Sequence, residues 1–173
     1  MRFILKNSFR FFIIFFIQVF ILSKVPPLHQ FIVPYFYFIL ILWLPFRTSR
    51  TSLLFYGFVL GMILDMFYKT PGLHTAASLL IAFMRPYIIN LLLPKEVTEW
   101  GDDEPSRFSM GALPYSTYIL FLTLLHNGYL ILLEWIQFGS FLYFIGKLIG
   151  TSVVSLLLML IAELFVHRKT RSR

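Results

Sequence analysis

The sequence predicts an all-α integral membrane protein built as a bundle of six transmembrane helices. Of its 173 residues, 58% are hydrophobic and only 13% are charged, whereas an average soluble domain has about 25% charged residues. Six apolar segments follow one another along the chain, and most reach the length of about 18 residues that marks a transmembrane helix. Since lipid cannot hydrogen-bond the backbone and no alternating ten-residue strands occur, these segments are predicted to be helices.

The same composition excludes several classes of protein. So many apolar residues are incompatible with a disordered chain, a nucleic-acid-binding module or an ordinary soluble enzyme. The net charge of +7 is therefore interpreted as a determinant of membrane topology rather than as a sign of nucleic-acid binding. The absence of cysteine excludes disulfides, thiolate catalysis and cysteine-ligated metal sites.

The six predicted spans belong to a single membrane domain that comprises residues 1–173. The first is short and is interpreted as an uncleaved helix, because no small-x-small cleavage site follows it. The second contains Pro34 and follows Pro26 and Pro27, which favours a broken or interfacial start. The predicted spans cover residues 9–25, 28–46, 51–68, 73–93, 113–136 and 140–166.

Topology follows from the distribution of Lys and Arg. With the N-terminus in the cytoplasm, the cytoplasmic segments, which include the polar loop 94–112, contain eleven basic residues and the outer loops contain two. This bias predicts that both termini are cytoplasmic. The eleven are Arg2, Lys6, Arg10, Arg47, Arg50, Lys95, Arg107, Arg168, Lys169, Arg171 and Arg173, and the two are Lys24 and Lys69.

Ionisable side chains inside the spans need partners or a route to the interface. From the rise of about 1.5 Å per residue, Arg85 is predicted to reach Glu163 in the inner leaflet. Glu134 and Lys147 are predicted to pair in the outer leaflet. The alternative for each pair is that the two charges reach the nearest interface separately.

Nothing in the sequence assembles a catalytic or metal-binding motif. His74 and His126 lie on different spans, and no HExxH, G-x-S-x-G or phosphate-binding loop occurs. His126 and Asn127 form a polar pair in the middle of the fifth span. Four carboxylates of the long loop, namely Glu99, Asp102, Asp103 and Glu104, are interpreted as a solvated turn. We expect neither catalysis nor a cofactor.

The third span carries the most informative pattern. Gly57, Gly61 and Asp65 recur every four residues and therefore share one stripe of a helix. Glycines at this spacing allow a second helix to approach closely. Gly146 and Gly150 repeat the spacing in the sixth span. For these glycines the sequence leaves two alternatives open, packing within the chain and docking of a partner protein.

A tight turn is predicted directly after this stripe. Pro71 presets φ and Gly72 accepts a positive φ, so residues 69–72 fit the turn of a helical hairpin. His74 then begins the fourth span. Asp65 is expected to meet Lys69 or His74, and Asn is expected to be a mild replacement if Asp65 only caps the turn.

Three motifs resemble the MreD family of rod shape-determining membrane proteins. They are Y-x5-WLP at residues 37–45, GFVLGMILD at residues 57–65 and PGLHT at residues 71–75. Ala82 and Phe83 stand where the family has an "AY"-like end to the next helix. The resemblance extends from Tyr37 to Phe83, and the long acidic loop departs from the compact form that it implies.

The resemblance implies a non-enzymatic scaffold of the bacterial cell-elongation complex. Such a protein lies in the cytoplasmic membrane, binds MreC and works alongside MreB, RodA and a class B penicillin-binding transpeptidase. Its fold would be similar to the substrate-binding component of energy-coupling vitamin transporters. That similarity supplies the alternative function, which requires a ligand pocket inside the bundle.

Overall fold

The computed structural model describes residues 2–24, 32–94, 104–138 and 140–166, and all regular structure in them is helical. Helix α1 (Arg2–Phe16) continues into a π-helical turn (Ile17–Ile21) and a 3-10 turn (Leu22–Lys24). The remaining helices are α2 (Ile39–Leu42), α3 (Arg50–Tyr68), α4 (Leu73–Leu92), α5 (Arg107–Met110), α6 (Ala112–Phe138) and α7 (Phe141–Val166).

Four of these helices, α3, α4, α6 and α7, are long and apolar enough to cross a membrane, and a shorter apolar helical stretch covers Phe9–Ile21. The described residues thus form an all-helical fold, and the four long apolar helices indicate a membrane protein. The predicted spans 51–68, 73–93, 113–136 and 140–166 agree with α3, α4, α6 and α7 to within two residues at each end.

The second predicted span, residues 28–46, for which the sequence favoured a broken start, does not form a transmembrane helix in its described part. Residues 32–36 have no regular secondary structure, and α2 contributes one helical turn before Trp43. Pro34 lacks the N–H that a helix would need, and the buried residues around it find other hydrogen-bond partners. Hydropathy alone does not separate a buried irregular segment from a helix. Residues 25–31, which include the start of this span, lie outside the described residues, as do residues 95–103 of the polar loop and residues 167–173.

Local sequence explains where α3 begins and ends. The hydroxyl of Ser49 accepts a hydrogen bond from the backbone N–H of Ser52, which caps the N-terminus. Lys69, at φ 56°, ends the helix in the left-handed conformation. Gly72, at φ 83°, then begins α4, as predicted for the turn 69–72.

The long helices pack in the order α3, α4, α6 and α7, with the most extensive contact between α3 and α4. Residues 32–44, here called the central segment, lie in the middle and contribute a large part of the buried core. Its core side chains are Tyr35, Phe36, Tyr37, Phe38, Ile39, Ile41, Leu42 and Trp43. We call the end at residues 69–72 the hairpin end and the end at residues 45–49 the loop end.

Candidate functional site

The carboxylate of Asp65 joins α3 to the start of α4. One oxygen, Oδ2, accepts from the backbone N–H groups of Gly72 and Thr75, both at 3.0 Å, and from the Thr75 hydroxyl at 2.6 Å. The other, Oδ1, accepts from the His74 N–H at 2.9 Å and the Thr70 hydroxyl at 3.1 Å. Asp65 therefore satisfies the free N–H groups at the N-terminus of α4.

The glycine stripe of α3 packs inside the chain. A Cβ on Gly57 would lie 3.0 Å from the Cβ of Ala82 and 3.1 Å from the carbonyl oxygen of Ser78. A Cβ on Gly61 would lie 2.7 Å from the backbone nitrogen of Thr75. Both glycines face α4 directly, so the first of the two alternatives, packing within the chain, applies to them.

The second glycine pair behaves differently. A Cβ on Gly150 would lie 3.0 Å from Ile32 of the central segment, whereas a Cβ on Gly146 would have nothing within 4 Å. Gly150 thus serves internal packing. Gly146 lies on the exposed side of α7, beside Leu142 and Ile149.

Gln18 connects the π-helical turn of the first helix to the central segment. Its Oε1 accepts from the backbone N–H groups of Phe36 at 2.8 Å and Tyr37 at 3.2 Å. Its Nε2 donates to the carbonyl of Pro34 and contacts the hydroxyl of Tyr68, both at 3.1 Å. Gln18 is 1% exposed. One side chain therefore replaces hydrogen bonds that a helix would have made here, which non-helical backbone requires at membrane depth.

A chain of buried polar groups crosses the bundle at Tyr37. The Tyr37 hydroxyl lies 3.1 Å from Nδ1 of His74 and 2.7 Å from Nε2 of His126. Nδ1 of His126 lies 3.0 Å from Oδ1 of Asn127, and Nδ2 of Asn127 donates to Ser152 at 3.3 Å. All five side chains are buried. The chain links the central segment to α4, α6 and α7.

The hydrogen-bond pattern assigns the tautomers of both rings. Because Nδ2 of Asn127 donates to Ser152, its Oδ1 must accept from His126, so Nδ1 of His126 carries the proton. Nε2 of His126 then accepts from the Tyr37 hydroxyl, and the oxygen of Tyr37 accepts from Nδ1–H of His74. Nδ1 of His74 and both ring nitrogens of His126 thus have a matched partner. The role of this hydrogen-bonded chain is to hold the central segment in place.

Arg85 does not pair with Glu163, and that prediction is wrong. Its Nε donates to the Tyr118 hydroxyl at 3.1 Å, and its Nη2 donates to the carbonyl of Leu44 and lies 3.4 Å from that of Pro45. The guanidinium satisfies carbonyls that the interrupted second span leaves without helical donors. Glu163 instead accepts from the backbone N–H of Arg107 at 3.0 Å.

The predicted pair between Glu134 and Lys147 is formed. Nζ of Lys147 donates to Oε2 of Glu134, near the hairpin end of α6 and α7. Lys147 begins a polar stripe on α7 that faces the interior, and the stripe continues through Thr151, Ser155 and Glu163. In this way α7 presents polar groups inward and apolar groups outward.

A cluster at the loop end joins α1 to later parts of the chain. Arg10 forms an ion pair with Glu104, and its guanidinium carbon lies 5.9 Å from the ring centroid of Trp43. The indole N–H of Trp43 donates to the Tyr115 hydroxyl at 3.1 Å. Glu104, which the sequence analysis interpreted as part of a solvated turn, is therefore a structural partner of α1.

A lateral groove of about 630 Å³ lies beside this cluster. It runs between α1 and α3 and is bounded on one side by the central segment and residues 45–49. Its lining is mostly apolar, with a polar end at the loop end. The lining residues are Arg10, Phe11, Phe12, Leu40, Ile41, Trp43, Leu44, Pro45, Thr48, Ser49, Ser52, Phe55, Tyr56, Val59 and Leu60.

Within the described residues, no three His, Asp or Glu side chains lie close enough to hold a metal ion. The two buried histidines instead face the Tyr37 hydroxyl. The interior at this level is occupied by the chain itself, since Tyr37, Phe38, His126 and Asn127 have no exposed surface.

Sequence reasoning placed Gly57, Gly61, Asp65 and the turn correctly but missed the central segment. Gln18 and the pair His126–Asn127 were recognisable as polar residues inside apolar spans. The partners of Gln18 could not be recognised from the sequence. The backbone N–H groups of Phe36 and Tyr37 are free to bind its side chain only when the second span is not a helix.

Comparison with family models, curated proteins and solved structures gives no match to this chain.

Proposed function

We propose that this protein is a scaffold of the bacterial cell-elongation complex, resembling the MreD family, and that it acts by binding MreC. The observation that carries the proposal is the role of the motif residues. Gly57, Gly61, Asp65 and Gly72 together build the α3–α4 hairpin. These four residues, which belong to two of the three motifs, thus lie in one structural unit.

The filled interior also supports a scaffold over a vitamin-binding component. A small-molecule carrier needs a cavity lined with ligand-specific polar groups. In this chain the polar groups at mid-depth bind one another, and the central segment occupies the space between α4, α6 and α7. The lateral groove lies away from these groups, between α1 and α3.

The proposed partner face lies outside the α3–α4 contact, because Gly57 and Gly61 are already covered. Alongside MreC, the resemblance places MreB, RodA and a class B penicillin-binding transpeptidase in the same complex. We propose the bacterial cytoplasmic membrane as the location, with both termini in the cytoplasm.

Depletion in a rod-shaped host tests the function. We expect rods to become round, and we expect the purified protein to capture MreC without nucleotide. Gly61→Leu should lower the protein level, whereas Gly146→Leu adds its bulk where nothing lies within 4 Å and should leave the level unchanged. Rods that stay rods after full depletion, in a host without a second copy, would refute the scaffold. A tightly bound small molecule on purification would favour the vitamin-binding alternative.

A further inference from the structure

We propose that the lateral groove binds an anionic membrane phospholipid, with an acyl chain between α1 and α3 and the phosphate at the polar end near Ser49. The walls are apolar and aromatic, and several of their side chains are exposed. Phe12 on α1 is 67% exposed and Phe55 on α3 is 65% exposed. An acyl chain between them would cover apolar surface on both helices.

The polar end of the groove combines a hydroxyl cluster with a helix N-terminus. Thr48, Ser49 and Ser52 line this end, and α3 begins there at Arg50. The first N–H groups of a helix have no acceptor within the helix and carry a partial positive charge. Thr48 donates to the Pro45 carbonyl, and Ser49 caps the Ser52 N–H and donates to the Ser52 hydroxyl. A phosphate at this end would therefore meet the Ser52 hydroxyl and the first-turn N–H groups of Arg50 and Thr51.

Charge complementarity favours an anionic headgroup. Residues 1–64 contain six Lys and Arg and no Asp or Glu, and both walls of the groove belong to this stretch. Arg47 and Arg50 flank Ser49 in the sequence, and Arg10 lines the groove itself. The Glu104 carboxylate compensates the charge of Arg10, and the Arg50 guanidinium lies over the ring of Tyr87 on α4. The attraction for an anionic headgroup therefore comes from the basic stretch as a whole, with Arg47 and Arg50 beside the groove rather than in its lining.

The size of the groove suits an acyl chain. Its volume of about 630 Å³ lies within the range of about 300–1,000 Å³ that is usual for small-molecule sites.

Trp43 lines the groove and provides a direct probe. With Trp100 and Trp135 replaced by Phe, Trp43 is the remaining tryptophan of the chain. The protein is reconstituted in phosphatidylcholine vesicles that contain increasing fractions of brominated phosphatidylglycerol or brominated phosphatidylcholine. We expect half-maximal quenching at about fivefold less of the anionic lipid, the factor that one basic side chain near a membrane contributes.

Matched variants separate the groove from general contact with lipid. Val59→Phe fills the groove and should abolish the difference between the two lipids, whereas Met62→Phe adds a ring on α3 outside the lining and should preserve it. The double change Arg47→Gln and Arg50→Gln should reduce the anionic preference, and Lys69→Gln at the hairpin end should not. Circular dichroism checks that each variant is folded.

Three outcomes would overturn the proposal. Equal quenching by the two lipids would mean that the groove holds bulk lipid without selection. Quenching by neither lipid would mean that a polypeptide or the chain itself closes the groove. An anionic preference that survives Val59→Phe would place the lipid elsewhere on the protein.

Discussion

A Cβ on Gly61 would lie 2.7 Å from the backbone nitrogen of Thr75 and closer still to its Cα. Real Cβ atoms are essentially never found at such distances, and backbone atoms cannot rotate away as a side chain can. The α3–α4 hairpin therefore depends on the absence of a side chain at this position.

Replacing Gly61 with Ala should destabilise the protein by about 1–3 kcal/mol or more, because the two helices must move apart. Gly57→Ala should cost less, since its Cβ would lie 3.0 Å from Ala82. Gly146→Ala is the matched control and should be neutral or slightly stabilising, because alanine favours a helix. Thermal unfolding midpoints in detergent measure all three. A Gly61→Ala midpoint equal to that of Gly146→Ala would contradict the packing described for α3.

Asp65→Asn should be nearly as harmful as Asp65→Ala, in contrast to the mild effect that the sequence suggested. All five contacts to the carboxylate come from donors, and each oxygen receives at least one backbone N–H. In the Asn variant the NH₂ group would replace one of the two oxygens. Whichever oxygen it replaces, this donor would face a backbone N–H, which is also a donor and is fixed in place by the helix. We expect a loss of about 1.5–3 kcal/mol for either variant, the range for a hydrogen bond to a charged group.

Unfolding midpoints of the Asn and Ala variants at position 65 check this expectation. An Asn variant as stable as the wild type would show that the carboxylate charge is not needed at the start of α4.

Exchanging the charges of Glu134 and Lys147 should recover part of the stability that each single reversal loses. Their side chains are in contact, and polar contacts between membrane helices contribute about 0.6–2 kcal/mol. Arg85 and Glu163 form the control pair, because each has other partners. Their double reversal should lose about the sum of the two single losses. Recovery for the control pair, or none for Glu134 and Lys147, would contradict the structure.

Gln18→Met should loosen the central segment, because methionine fills a similar volume without accepting from the N–H groups of Phe36 and Tyr37. An unsatisfied buried donor costs about 1–3 kcal/mol. Hydrogen exchange at the amides of Phe36 and Tyr37 should become faster. Ile17→Met, on the neighbouring residue, should leave both rates unchanged. Unchanged exchange in the Gln18 variant would show that other groups hold the segment.

The topology is tested with reporter fusions that are active only outside the cytoplasm. The eleven-to-two distribution of basic residues predicts activity after Lys69 and silence after Glu104. The ion pair between Arg10 and Glu104 places Glu104 beside Arg10 of α1. A reporter that is active after Glu104 and inactive after Lys69 would show that the orientation is the opposite of the predicted one.

The sequence predicts the long helices well, because the backbone of a continuous apolar run in lipid must form its hydrogen bonds within the run, as a helix does. It fails at residues 32–38, where side chains from other helices satisfy the backbone instead. The failed pairing of Arg85 has the same origin. Depth along a helix placed Glu163 within reach, but the carbonyls of Leu44 and Pro45 became acceptors only when the second span was interrupted.

The central segment also constrains the order in which the chain can assemble. Its amides and aromatic side chains depend on groups that emerge from the ribosome much later, including His126 on α6 and Thr151 on α7. We therefore expect residues 32–44 to stay unpacked, at the membrane surface or in the insertion machinery, until α7 has entered the bilayer. A chain truncated before Thr151 should retain its hairpin of α3 and α4 but leave the central segment open to proteases.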